Sequence, residues 1–270
     1  MRFQLYYETD SFLHRVNPLT KLVFTVVVMV VLTVIVDPLT PLAVALLGVV
    51  AIVVLGRVPL GQVLRTLVPF GLVSFGLFWT TALFYAAPTS VLAEWGPLVV
   101  STDGIAYGVA IMFRLLAIFV VSLMFTLTTD STALLQALVQ RAHVSPRFGY
   151  GIIAAYRFVP LFDGQLASIR AAHRVRGVSS SGGPAAQYRR LVSHMLPLLA
   201  GGIRHAERVA LAMDARGFGD SSATRTYYRR SVFGWRDAVF GVGAAGVLLA
   251  ILIGFHMLGW LGQPIPPFLA

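Results

Sequence analysis

Leu22-Val23-Phe24-Thr25-Val26-Val27-Val28-Met29-Val30-Val31-Leu32-Thr33-Val34-Ile35-Val36 is nearly all Val, Leu and Ile, and its reading decides the fold class. Asn17 stands ahead of it as an N-cap, with Pro18 at the first helical position, and Asp37-Pro38 closes it. Apolar runs of this kind recur along a chain of 270 residues that is 57% hydrophobic and 12% charged. Its mean hydropathy is +0.79. A soluble domain carries about a quarter charged residues. The chain therefore reads as an all-α membrane protein, with about five transmembrane helices and a cytoplasmic platform of long helices.

A second run, Leu42 to Leu55, follows Thr40-Pro41 and ends at Gly56-Arg57. Both runs are short for a hydrocarbon core of ~30 Å, which takes about 20 residues. Either their ends extend past the apolar stretch or the pair forms a partial hairpin. Further spans are expected at about 67–86, 105–127 and 238–258. The segment 87–104 reads as a loop holding Pro88, Glu94, Pro97 and Asp103, and the tail carries Gln263-Pro264-Ile265-Pro266-Pro267.

Basic residues set the orientation. Of 21 Lys and Arg, 15 fall between Arg141 and Arg236, and the Asp37 turn, the 87–104 loop and the tail have none. The positive-inside rule then places the N-terminus and the basic region in the cytoplasm and the C-terminus outside. Three parts follow: a membrane domain of four spans at 1–127, a cytoplasmic region at 128–236, and a last span with external tail at 237–270. The same bias accounts for the net charge of +10 without nucleic acid as a partner. Arg114 is the exception, inside the fourth span, where structural pairing, snorkelling to the interface and a pathway role are all open.

The region 128–236 reads as helices. Thr129-Asp130-Ser131 offers caps for a short helix at 131–142. Ser145-Pro146 starts a long one that reaches about Arg176, with a kink expected at Pro160. After Ser179-Ser180-Ser181-Gly182-Gly183-Pro184, a turn or link, another long helix runs from about Ala185 to Arg216 and is weakened by Pro197 and Gly201-Gly202. Each long helix closes on an Arg-Gly pair, Arg176-Gly177 and Arg216-Gly217, 40 residues apart. Phe162, Leu166, Ile169 and His173 step back from the first by three and four, and Gly202, Ala206, Val209 and Met213 from the second. The face carrying Phe162, Leu166, Ile169, Val209 and Met213 is the expected platform surface. A glycine relaxes a helix C-cap, and a cation favours the negative end of the helix dipole. The same cap holds an arginine out as a rigid fork of donors on a rod.

Catalytic patterns are missing. Lys21 is the only lysine and has no Gly before it, so a Gly-Lys-Ser/Thr phosphate loop cannot form. There is no cysteine, no His-Glu-x-x-His and no Gly-x-Ser-x-Gly elbow. The six histidines show no metal-ligand spacing, and no cofactor or metal is expected. Any energy-driven process then takes its hydrolysis from a partner.

His14-Arg15-Val16-Asn17-Pro18-Leu19-Thr20-Lys21, Arg157-Phe158-Val159-Pro160, Ala171 to Gly177 and Ala210 to Gly219 together resemble one family. It is the transmembrane T component of energy-coupling factor importers, which includes the cobalt-transport permease subunits. The first Ala-Arg-Gly element departs from the family pattern only in having Val175 in place of Ala. The resemblance implies a non-catalytic scaffold that joins two ABC ATPases to a membrane-embedded substrate-binding S component, within membrane lipid. Arg176 and Arg216 would be the tips of coupling helices docked on the ATPases, with Val175, Gly177, Ala215 and Gly217 shaping the approach, and the apolar helix faces, with the short helix at 131–142, would hold the S component. The cargo would be a vitamin or a transition-metal ion. The rival from the residues alone is a channel or secondary transporter with its own substrate path, which needs intramembrane polar groups.

Overall fold

The computed structural model describes residues 6–7, 9–85, 91–95, 98–142, 144–177, 183–218, 227 and 231–257. The Ser179 to Gly182 link, His143, Gly219 and the Gln263 to Pro267 tail lie outside them. The chain divides into two compact units, residues 1–137 with 231–270, and residues 138–230.

The first unit is built on apolar helices. A short turn, α1 (Phe12–Arg15), leads to α2 (Pro18–Val34) and α3 (Leu39–Val50), and α3 runs on into a π-helical turn, Ala51–Leu55. Then come α4 (Leu60–Leu83), α5 (Thr102–Thr128) and α9 (Trp235–Met257). By length and composition α4, α5 and α9 can each cross a membrane, while Pro18–Val34 and Leu39–Leu55 are the shorter apolar pair. A helix stands at each place where a span is expected, with α4 beginning seven residues earlier than its apolar run because Leu60 to Thr66 continues the helix. The segment expected as a loop differs. Val91–Trp95 (β1) and Leu98–Ser101 (β2) pair antiparallel, with Trp95 opposite Leu98 and Glu94 opposite Val99.

The core gathers around α5, which packs against α2, α3 and α4. Val120, Leu123, Met124 and Leu127 of α5 meet Leu13, Ile52, Val58 and Val63, and Ala117 and Val121 meet Val28, Leu32 and Val44. Gly104 and Gly108 let the α4 backbone come close: a Cβ at Gly108 would sit 3.0 Å from the Phe78 carbonyl. Small residues one turn apart are the usual means of such approach in membranes.

The signature at His14–Lys21 is a clamp. Asn17 caps α2 by accepting the Leu19 N–H at 3.0 Å. Its own backbone N–H donates to Asp237 at 2.6 Å, and its amide donates to Ser231 at 2.8 Å. The buried Lys21 ammonium donates at 2.7 Å to the Thr128 carbonyl, at the negative end of α5. Burial lowers the His14 pKa against the opposing pull of its bond to the Tyr7 carbonyl. The neutral ring donates from Nε2 to that carbonyl at 2.8 Å and contacts Ser11 Oγ at 2.7 Å. One short motif thus ties the starts of α2 and α9 to the end of α5. Arg114 repeats the device, since its guanidinium donates to the Ile35 carbonyl at the C-terminal end of α2. This bond is the structural pairing among the readings open for Arg114.

Candidate functional site

The second unit holds the end of α6 (Ser131–Arg141) and two long helices, α7 (Pro146–Val175) and α8 (Pro184–Asp214). Asp130 caps α6, accepting the N–H groups of Thr132 and Ala133 at 3.2 and 3.1 Å. Pro146 and Pro184 each occupy a first helical position, where the missing N–H costs nothing. Both helices run on through their internal prolines, Pro160 and Pro197.

α7 and α8 lie antiparallel. Phe158 meets the His205 ring at 4.7 Å, and His173 meets His194 at 5.0 Å, so the chain rises on one helix as it falls on the other. A Cβ at Gly202 would stand 3.1 Å from Phe162, and one at Gly201 would stand 3.3 Å from Gln165. The two glycines, expected to weaken α8, with Gly202 also on its stripe, therefore mark where the helices come close. Phe162, Leu166, Ile169, Val209 and Met213 are all half-buried, in step with these contacts. One expectation fails: Ala206 is exposed, and His205 takes its place on the inner face.

Both helices end in the same way. α7 closes with Arg176 N–H on the Ala172 carbonyl at 3.2 Å and Gly177 N–H on the Arg174 carbonyl at 3.1 Å. α8 closes with Gly217 N–H on Asp214 at 2.9 Å and Phe218 N–H on Met213 at 3.0 Å. The α8 pair of bonds is a Schellman motif, and it needs a left-handed residue at the glycine; α7 shares the glycine bond three residues back. Gly177 has φ +73° and Gly217 φ +71°, the only two positive-φ glycines among the described residues. Val175, Arg176, Ala215 and Arg216 are all exposed, Val175 at 89%. Phe218 packs edge-on against Tyr150 at 5.5 Å, which sets the second tip beside the start of α7. From Tyr150 to Arg176 the helix climbs about 39 Å at 1.5 Å per residue. The two arginines thus stand at opposite ends of one rigid pair.

An apolar surface that the stripes did not predict lies on the outside of α8. Tyr188, Val192, Leu196, Leu199 and Ile203 recur by three and four, and all are exposed, Leu196 at 75%. A continuous apolar stripe of this size marks a contact surface. Its signal in the sequence is the same spacing, on a neighbouring face of the helix.

The profile of the cobalt transport protein family (CbiQ) matches residues 9–228. The chain is 31% identical over 246 residues to an energy-coupling factor transporter transmembrane protein of Limosilactobacillus fermentum, covering 88% of this chain and 91% of that one. It is 28% identical over 260 residues to the protein of the same description from Brevibacillus brevis, covering 93% and 96%. It also aligns, at 27% identity over 90% of its length, with 32% of a putative ABC transporter ATP-binding protein of Bifidobacterium longum.

Proposed function

The chain belongs to the cobalt transport protein family, and from that premise we propose that it is the transmembrane coupling subunit of an ATP-driven energy-coupling factor importer. The single observation that carries this reading is the pair of tips. Two long helices, packed antiparallel, each end on an exposed arginine followed by a left-handed glycine. A scaffold that couples two similar motors needs two similar handles.

In this reading Val175-Arg176-Gly177 and Ala215-Arg216-Gly217 dock into acidic grooves on two ABC ATPases. The chain itself carries no phosphate loop. The relative from Bifidobacterium longum supports the pairing, since one polypeptide described as an ATP-binding protein contains a stretch similar to this chain. Phe162, Leu166, Ile169, Val209 and Met213 hold α7 to α8. The outer stripe of α8, from Tyr188 to Ile203, takes the membrane-embedded subunit that binds the cargo, a vitamin or a transition-metal ion. ATP-driven motion of the ATPases moves the two tips together, because the helices are locked along their inner faces, and so shifts the stripe. The rival reading, a channel with its own path, is disfavoured because Lys21 and Arg114 are both bound to carbonyls at helix ends.

The tagged chain purified from its own membranes should bring ATPase subunits with it, and a chain that comes down alone refutes the proposal. The orientation has its own check. With the N-terminus and residues 128–236 in the cytoplasm, an impermeant maleimide added to intact cells leaves Gln187→Cys unlabelled, the chain having no other cysteine. Labelling of intact cells equal to that of broken cells would invert the orientation.

A further inference from the structure

The first unit contains a cavity of about 410 Å³ that neither the tips nor the α8 stripe explains. It opens between α3 with its π-helical turn and α9, through residues including Val44, Leu55, Phe240, Gly243 and Ile251, and is backed by Phe24 of α2 and Met124 of α5. The lining side chains are all apolar. Its length is informative. Val44 to Leu55 and Phe240 to Ile251 each cover about 16 Å at 1.5 Å per residue. One leaflet of a ~30 Å hydrocarbon core is about 15 Å.

Two arginines stand at one end of the groove. Leu55 leads through Gly56 to Arg57, and Phe240 lies one turn after Arg236. Asp10 joins them: its pKa is lowered first by its bond to Arg15, and further by the charges of Arg57 and Arg236. So both arginines stand at one end of the helices. The Arg236 guanidinium lies 5.7 Å from the ring centre of Trp235, which is exposed. A Trp and a basic residue side by side mark the headgroup level of a bilayer. Arg57 has φ +52°, a left-handed conformation unusual for any residue but glycine. The turn that holds it is tied by Thr9 Oγ1 donating to the Gly56 carbonyl at 3.2 Å and by Val58 N–H on Ile52 at 3.3 Å. Local strain held by its surroundings, beside a π-helical turn, is the mark of a position kept for a purpose.

We infer that this groove is a binding site for one anionic phospholipid, its acyl chain lying between α3 and α9 and its phosphate between Arg57 and Arg236. The occupant is a lipid rather than a helix because the groove is one leaflet long and closes on a cationic mouth. A spanning helix would need twice that length. Zwitterionic lipid fits the apolar part and gains less at the mouth.

Native mass spectrometry of the full-length chain in detergent tests this, with phosphatidylglycerol and phosphatidylcholine of the same acyl chains as probes. The wild type should retain one phosphatidylglycerol in preference to phosphatidylcholine. Arg57→Asn with Arg236→Gln should cut phosphatidylglycerol binding about thirtyfold, the factor that two basic contacts of about 1 kcal/mol each supply. Asn accepts the left-handed turn, Arg57 is exposed, and Gln keeps most of the stem and the donor capacity of the half-buried Arg236, so this variant keeps the fold. Gly243→Leu fills the groove, strengthens rather than weakens the helix, and should remove both lipids. Equal binding of the two lipids by the wild type overturns the proposal. Undiminished binding by either variant does so too, as does efficient crosslinking of Gly243→Cys to another subunit in the assembled transporter.

Discussion

Alanine at both Arg176 and Arg216 should strip the ATPases from the purified transporter and abolish transport, while the chain still inserts in the membrane. A guanidinium in an acidic groove makes charge-assisted bonds worth roughly 1.5–3 kcal/mol each. Removing one guanidinium therefore weakens docking about ten- to a hundredfold at that tip. The tips stand about 39 Å apart on one rigid pair. When one tip is disabled, the other keeps the ATPases at high effective concentration, so either single variant reduces transport and retains most of the co-purification. Lysine restores charge without the planar fork and should rescue only in part. Both arginines are exposed at helix ends, so neither substitution leaves an unsatisfied partner in the core. Normal ATPase retention and normal transport in the double variant would reduce the two residues to helix caps.

The glycines that follow should matter nearly as much, for a different reason. No atom lies within 4 Å of a Cβ built at Gly177 or Gly217, so a larger side chain meets no obstacle. The constraint is the backbone alone, at φ +73° and +71°. A left-handed conformation costs roughly 1–2 kcal/mol for an ordinary L-residue, and more for a β-branched one. Valine at both positions should therefore displace the closing bonds of Gly177 on Arg174 and of Phe218 on Met213, and re-aim the arginines. Transport should fall about tenfold or more, with helix content by circular dichroism nearly unchanged. Asparagine, which tolerates the left-handed region, should retain most of the activity. Valine variants that transport like the wild type would show that the aim of the tips is unimportant.

The contrast between these residues and their neighbours shows what a sequence can disclose here. An Arg-Gly pair at the end of a periodic segment is a local signal: the cap, the left-handed glycine and the exposed arginine all follow within one turn. The spans are equally local, because about 20 apolar residues suffice. The inner face of α7 and α8 is not local. The stripes supply Phe162, Leu166, Ile169, His173, Gly202, Val209 and Met213, but the face is completed by Phe158, His194 and His205, with Gly201 giving room, and these carry no such signal in isolation. Which of two apolar stripes on α8 turns inward depends on α7, so spacing alone does not single out the exposed stripe from Tyr188 to Ile203. Arg114 has the same character. Its partner is the carbonyl of Ile35, 79 residues away, and only the meeting of α2 with α5 brings them together. The hairpin at Val91–Trp95 and Leu98–Ser101 is masked by Pro97 and by short runs that fit a loop equally well.

A photo-crosslinking amino acid at Val175, and separately at Ala215, in the assembled transporter tests the docking of the two tips most directly. Both positions are exposed and each lies next to its arginine. Each should crosslink efficiently to an ATPase subunit, while the same group at Leu196 on the outer stripe of α8 should not. Crosslinks from both tips to lipid or to other membrane subunits alone, with the ATPases still bound elsewhere, would contradict it.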